Sequence, residues 1–295
     1  MPTTTPLAAL FALVPLALTS CSTFGLRGGD YRIYETRSGA EIELEQMVAE
    51  LASADVVFLG EEHDNDAGHR LQLWTVEMLA DGGRPLILSM EQFEADVQEP
   101  LDRYLAGEIG AKEFLAESRP WPNYPEHYRP LVEFAKRRGF PVLAANIPRP
   151  LASRVAHEGL YSIGNERLAP WVVWTDEPEY AQRFARAMGR NHFDQADGGL
   201  RRWFTAQCVK DEKMAESIVR ALGAARAAGQ DPLVVHLCGK FHSDYALGTV
   251  SRLRRRQPEL DLRVVAMNSD EVLRRELGPG ERSQGDYLWL VRTQD

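Results

Sequence analysis

The feature that most limits this chain is a set of apolar, β-branched runs at residues 56–59, 86–90, 142–145, 233–237 and 264–267. They are continuous rather than alternating, the pattern of parallel strands covered on both faces. Helical stretches at 69–79, 131–138 and 246–256 lie between them, so the core reads as βαβ units. Gly82-Gly83 and Gly139 fall just past helices, where glycine suits a left-handed cap. A last run, 287–291, predicts an edge or hairpin strand. The fold class is therefore α/β, a mostly parallel sheet flanked by helices. Two intervals break the alternation. Residues 100–130 hold a short helix and then a loop rich in proline and aromatics, Arg119-Pro120-Trp121-Pro122-Asn123-Tyr124-Pro125. Residues 151–229 offer no strand beyond 171–174 but an amphipathic helical pattern over 201–228, and read as a smaller helical insertion or subdomain over the sheet. The basic run Arg252-Leu253-Arg254-Arg255-Arg256 reads as a solvated helix C-terminus, where cations suit the dipole.

A chain of 295 residues with 44% hydrophobic content can build one large core, which excludes disorder. Its net charge of −9 argues against a nucleic-acid partner, which would need a basic face. Three cysteines with no CxxC pair supply neither a disulfide scaffold nor a thiolate zinc site. One of them, Cys21, follows thirteen uncharged residues, 6–18. That run is shorter than the ~20 residues a bilayer span needs and suits a secretory signal. It ends in Leu18-Thr19-Ser20-Cys21, which resembles a bacterial lipobox, although residues 1–5 lack the usual Lys or Arg. The resemblance implies a signal peptide over 1–20, a lipid on Cys21, a tether over 21–30 and a domain over 31–295. Ser22 after the cysteine favours the outer membrane, with the domain facing periplasm or surface. Cys208 and Cys238 would then meet an oxidising compartment, and their pairing stays open.

In open parallel sheets ligands bind beyond the carboxyl ends of the strands. Those ends here carry Gly60-Glu61-Glu62-His63-Asp64-Asn65, Glu91-Gln92-Phe93, Asn146-Ile147-Pro148-Arg149, Gly239-Lys240-Phe241-His242 and Asn268-Ser269-Asp270. Two of them share one shape: strand, glycine, two residues, histidine. A glycine there lets the backbone turn sharply and approach a ligand. Glu61, His63, Glu91 and His242 form a mixed nitrogen and oxygen set suited to a divalent metal or to acid–base work. His236 lies inside a strand and reads as a hydrogen-bonded core residue. No GxSxG, HExxH, Walker or GxGxxG motif is present.

With these strand ends the sequence resembles the ChaN-like haem-binding uptake lipoproteins of the Tiki/TraB and erythromycin-esterase-like superfamily. The resemblance runs from about Val56 to His242. It rests on Leu59-Gly60-Glu61-Glu62-His63-Asp64-Asn65 with His69-Arg70-Leu71-Gln72, on Met90-Glu91-Gln92-Phe93, on the block from Trp121 to Arg149, on Ala206-Gln207 with Asp211-Glu212-Lys213-Met214-Ala215, and on the closing Gly239-Lys240-Phe241-His242. It implies non-covalent b-type haem binding during iron uptake, iron held by a tyrosinate, and pairing of protomers as a homodimer. Phenolate is a hard donor for ferric iron. Tyr128, then Tyr124, are the ligand candidates in the aromatic loop. His63, His69 or His127 would hydrogen-bond the phenolate, and Arg70, Arg149 or Lys240 would neutralise propionates. The alternative is a metal-dependent hydrolase built on Glu61, His63, Glu91 and His242.

Overall fold

The computed structural model describes residues 29–193, 195 and 197–293; Cys21 and the apolar segment before it lie outside them. The described chain opens with a hairpin, β1 (Tyr31–Glu35) and β2 (Ala40–Ile42), and helix α1 (Leu44–Leu51). Strand β3 (Val56–Glu61), helix α2 (Asp66–Asp81) and strand β4 (Leu86–Glu94) form the first βαβ unit. Helices α3 (Gln98–Ala106), α4 (Ala111–Ser118) and α5 (Arg129–Arg138) lead to β5 (Val142–Asn146). Then come α6 (Arg149–Glu158), α7 (Pro178–Ala187) and the long α8 (Gly198–Ala227). Strand β6 (Leu233–Gly239), α9 (Thr249–Arg256), β7 (Leu262–Ser269) and β8 (Tyr287–Val291) complete the chain.

The eight strands form one sheet in the order β2-β1-β8-β7-β3-β6-β4-β5. All pairings from β8 to β5 are parallel, and β1 runs antiparallel to both β2 and β8. The continuous apolar runs now have their cause. In β3, Val57 and Leu59 point into one core with α1, α2 and α5, while Val56 and Phe58 point into a second core with α8 and α9. β4 and β6 divide in the same way, so both faces of the central strands must be apolar.

The run at 287–291 is not an edge. It lies between β7 and β1, because the hairpin at residues 31–42 takes the edge instead. Those two strands are short and mix Arg32, Glu35 and Glu41 with apolar residues, so no continuous run announced them. Residues 171–174 form no strand either. They are an extended strap held from beneath: Trp171 N donates to Glu216 (3.1 Å), and Trp174 N to Glu212 (3.0 Å). Arg252, at the head of the basic run, is fully buried rather than solvated. Its guanidinium binds Glu177, the Trp174 carbonyl (3.1 Å) and the Gly248 carbonyl (3.0 Å).

Phe58 is fully buried and meets the His236 ring edge-on at 5.5 Å. Phe58→Ala is expected to cost about 3–5 kcal/mol of stability, read as a lowered urea midpoint with unchanged slope.

Candidate functional site

The carboxyl ends of β3, β4 and β6 open into a cleft of about 870 Å³. Its floor carries Glu61, His63, Glu91 and His242, which the fold brings together. They form two ion-paired dyads. In the first, the Glu61 carboxylate is fully buried and meets Nδ1 of His63 at 2.9 Å. It also accepts from Gln72 (2.9 Å), Gln92 (2.9 Å) and the Tyr128 hydroxyl (2.6 Å). Burial alone would raise the Glu61 pKa, but the His63 hydrogen bond and the charges of His69 and His63 outweigh it, and the net shift is downward. Burial pushes His63 down, and its bond to Glu61 raises it above the ordinary value. The His63 side chain is 44% exposed and lines the cleft, with its Nε2 side packed beside Gly239.

In the second dyad, Nε2 of His242 lies 3.2 Å from Glu91 and Nδ1 2.7 Å from Asp211. Glu91 also accepts from the Gly239 amide at 2.7 Å, and Asp211 from Thr249 (2.9 Å) and Tyr180 (2.7 Å). Burial opposes charge on His242, yet the two carboxylates raise its pKa to about 10. Burial likewise opposes ionisation of Glu91, and the His242 charge holds it well below the usual carboxylate range. His242 is thus a buried imidazolium between two anions. His236 is neutral instead: burial drives its pKa to about 4, and Ser89 bonds its Nδ1 at 2.8 Å.

The two strand-end glycines serve side chains rather than a ligand. Neither has a positive φ. A Cβ on Gly239 would stand 2.9 Å from Nε2 of His63, and one on Gly60 would stand 2.8 Å from the Ser243 hydroxyl. No Cβ has room at either position.

The remaining candidates separate. Tyr124 and Tyr128 are buried and do not line the cleft. Tyr124 packs against Phe93 and Phe114, and burial and neighbouring Tyr104 and Glu133 raise its pKa. Tyr128 donates to Glu61, and burial with that carboxylate's charge raises its pKa far above the ordinary value. A phenolate at either place is strongly disfavoured. A proline- and aromatic-rich loop is also the composition of a packed lid, and both tyrosines sit buried in this one. His69 stacks on His127 at 4.1 Å, behind the cleft, and its ring binds Gln72 and the His63 carbonyl. His127 binds Asp66 at 2.8 Å. Arg70 lines a separate small pocket with Asp66 and Glu126. Lys240 lines the cleft, but its ammonium is engaged by Glu62 (2.7 Å) and Asn268 (2.9 Å). Arg149 does line the cleft, and Lys210 joins it there. Cys208 and Cys238 are both free thiols.

Among the described residues, no group of three or more His, Cys, Asp or Glu is arranged to hold a metal ion. The reason is visible in the dyads: the oxygens of Glu61 and Glu91 are already engaged by donors and imidazoles, so the four residues do not converge on one point. Sequence reasoning missed Asp211, Gln72, Gln92 and Tyr180 as supports. Asp211, Glu212, Lys213 and Glu216 are buried positions of α8, and four charged residues within one helical stretch were the available signal. One tyrosine, Tyr161, stands fully exposed in a short turn, Leu160–Ile163, that packs between α6 and α8.

This fold and cleft define an α/β protein with a mostly parallel sheet and a polar-floored cleft beyond the strand ends. The family described as "Haem-binding uptake, Tiki superfamily, ChaN" matches residues 47–253, and the chain belongs to that family. Among solved structures it is similar to ChaN of Campylobacter jejuni, a protein described by its cofacial haem binding. The TM-score is 0.67 at 18% identity, covering 90% of this chain and 98% of that one. It also resembles an erythromycin esterase, with a TM-score of 0.47 at 14% identity over 81% of this chain and 77% of that one. A curated relative is Protein RETICULATA-RELATED 5, chloroplastic, of Arabidopsis thaliana, 24% identical over 257 residues and 81% of this chain. This chain spans about a third (34%) of that protein's length.

Linkage fixes the sign of the His242 contribution. Its folded pKa of about 10 lies above the ordinary 6.5, so its stabilisation is complete below pH 6.5 and lost as pH rises toward 10. The stability gap between the wild type and His242→Gln in urea titrations is expected to shrink over that window.

Proposed function

We propose that this protein binds haem non-covalently for uptake at the bacterial cell envelope, anchored through a lipid on Cys21 and facing the periplasm or the surface. The observation that carries the reading is the character of the cleft. Its volume of about 870 Å³ lies in the about 300–1,000 Å³ range of small-molecule sites. Beyond the polar floor its wall is apolar, with Ala152 and Ala156 of α6, Phe184 and Met188 at α7, and Trp203 and Ala206 of α8. Arg149 and Lys210 supply cations among that surface, the combination that suits a flat apolar ring bearing carboxylates. For the iron, an exposed phenol is Tyr161, which stands outside the cleft lining in the turn after the helix that gives Ala152 and Ala156 to the wall. An exposed ligand also suits pairing of two copies with haems face to face, in keeping with the cofacial haem binding of the Campylobacter protein.

A hemin titration tests this. A saturable Soret band is expected, weakened at least tenfold in affinity (about 1.4 kcal/mol) by Trp203→Glu with Met188→Glu. Tyr161→Phe is expected to remove the tyrosinate-to-iron absorption. If His63→Ala changes the spectrum and Tyr161→Phe does not, the iron sits over the floor instead.

One observation favours a second reading, metal-free hydrolysis. Glu61 holds Nδ1 of His63, a half-exposed residue of the cleft lining, and so leaves Nε2 as the nitrogen to serve as general base for water, an arrangement of base and orienting carboxylate. His63→Ala should then abolish turnover across a panel of activated esters. Absence of turnover by the wild type removes this reading.

A further inference from the structure

We propose that the rim of the cleft is a membrane-docking surface, with the tip between α7 and α8 resting on anionic lipid headgroups and the cleft mouth facing the bilayer. The inference rests on the reading of Cys21 as the lipid attachment. Three observations converge on it.

The first is where β1 starts in the sheet. Tyr31 pairs with Val291, and Val291 with Ser269, so β1 begins at the carboxyl edge of the parallel strands. Asp30 is fixed there by a hydrogen bond of 2.8 Å from the Arg292 amide to its carbonyl. This is the edge that carries Glu61 and the cleft. β1 lies three strand positions from β3, roughly 14 Å at ordinary strand spacing. The nine residue steps from Cys21 to Asp30 reach at most about 30 Å, so a lipid on Cys21 holds the cleft edge close to the bilayer.

The second observation is charge. The chain carries −9 overall, yet residues 186–203 contain Arg186, Arg190, Arg201 and Arg202 against only Asp194 and Asp197. All four arginines are exposed. A local basic tip on an acidic protein faces anionic lipid while the rest of the surface is repelled from it.

The third is the apolar content of that tip. Met188 is 43% exposed and Trp203 49% exposed, and both lie at the cleft mouth. Tryptophan beside arginine is the composition of a membrane–water interface. An apolar ligand would pass between bilayer and cleft without crossing open water.

The test places a thiol-reactive fluorophore on the full chain at Met188→Cys or, at the opposite sheet edge, Gln230→Cys, in vesicles carrying a bilayer quencher. The native thiols Cys208 and Cys238 are buried, so they do not compete. Label stoichiometry reports separately whether the Cys21 thiol is blocked by a lipid. Phosphatidylcholine vesicles with and without phosphatidylglycerol are compared. Quenching at 188 should exceed that at 230 several-fold, increase with phosphatidylglycerol, and fall in high salt or in Arg190→Glu with Arg202→Glu. Equal quenching at the two positions, or stronger quenching at 230, overturns the docking surface while leaving haem binding and lipidation standing. A free Cys21 thiol on a chain that does not float with vesicles overturns the anchor and the docking together.

Discussion

The arrangement depends on one buried charge. Glu61 sits at the end of a central strand with no solvent contact, and an uncompensated carboxylate there would cost several kcal/mol. The compensation comes from four places: His63 on the loop after β3, Gln72 on α2, Gln92 on β4 and Tyr128 before α5. Each donor must arrive from its own element for the ion to be tolerated. The strand end, the first crossover helix and the aromatic loop therefore close around the same two oxygens. The orientation of His63, the accessible imidazole of the floor, is a product of that closure.

Much of this was legible in the sequence because parallel strands leave a strong mark. Residues such as Val56, Val57, Phe58 and Leu59 are apolar in succession only when both faces are covered. The same logic located Glu61, His63, Glu91 and His242, since polar residues right after such a run fall at the carboxyl edge. The remainder was hidden for different reasons. The β1–β2 hairpin is too short and too mixed to show a period. Asp211 lies within an amphipathic helix, where a buried carboxylate looks like any charged residue until His242 is placed beside it. Tyr128 was recognisable as special, but its hydroxyl faces Glu61, a direction that no linear pattern encodes.

The two dyads differ in what they can do. His63 is half-open, leans on one carboxylate and belongs to the cleft lining, so it is within reach of whatever the cleft holds. His242 is enclosed between Glu91 and Asp211 and works as a fixed positive charge in the floor. The cleft thus combines an inert electrostatic base, one accessible imidazole and an apolar wall. Membership of the haem-binding uptake family agrees with the wall, and the imidazole gives the floor a chemistry that the wall alone would not need.

Asp211 carries a consequence for communication across the molecule. Its two oxygens receive Tyr180 from α7, Thr249 from α9 and His242 from the sheet edge, while the residue itself belongs to α8. Lifting the helical layer away would strip His242 of one of its two counter-ions. Events on the outer face of that layer and the protonation of the cleft floor are thereby coupled thermodynamically, each shifting the equilibrium of the other by the same free energy.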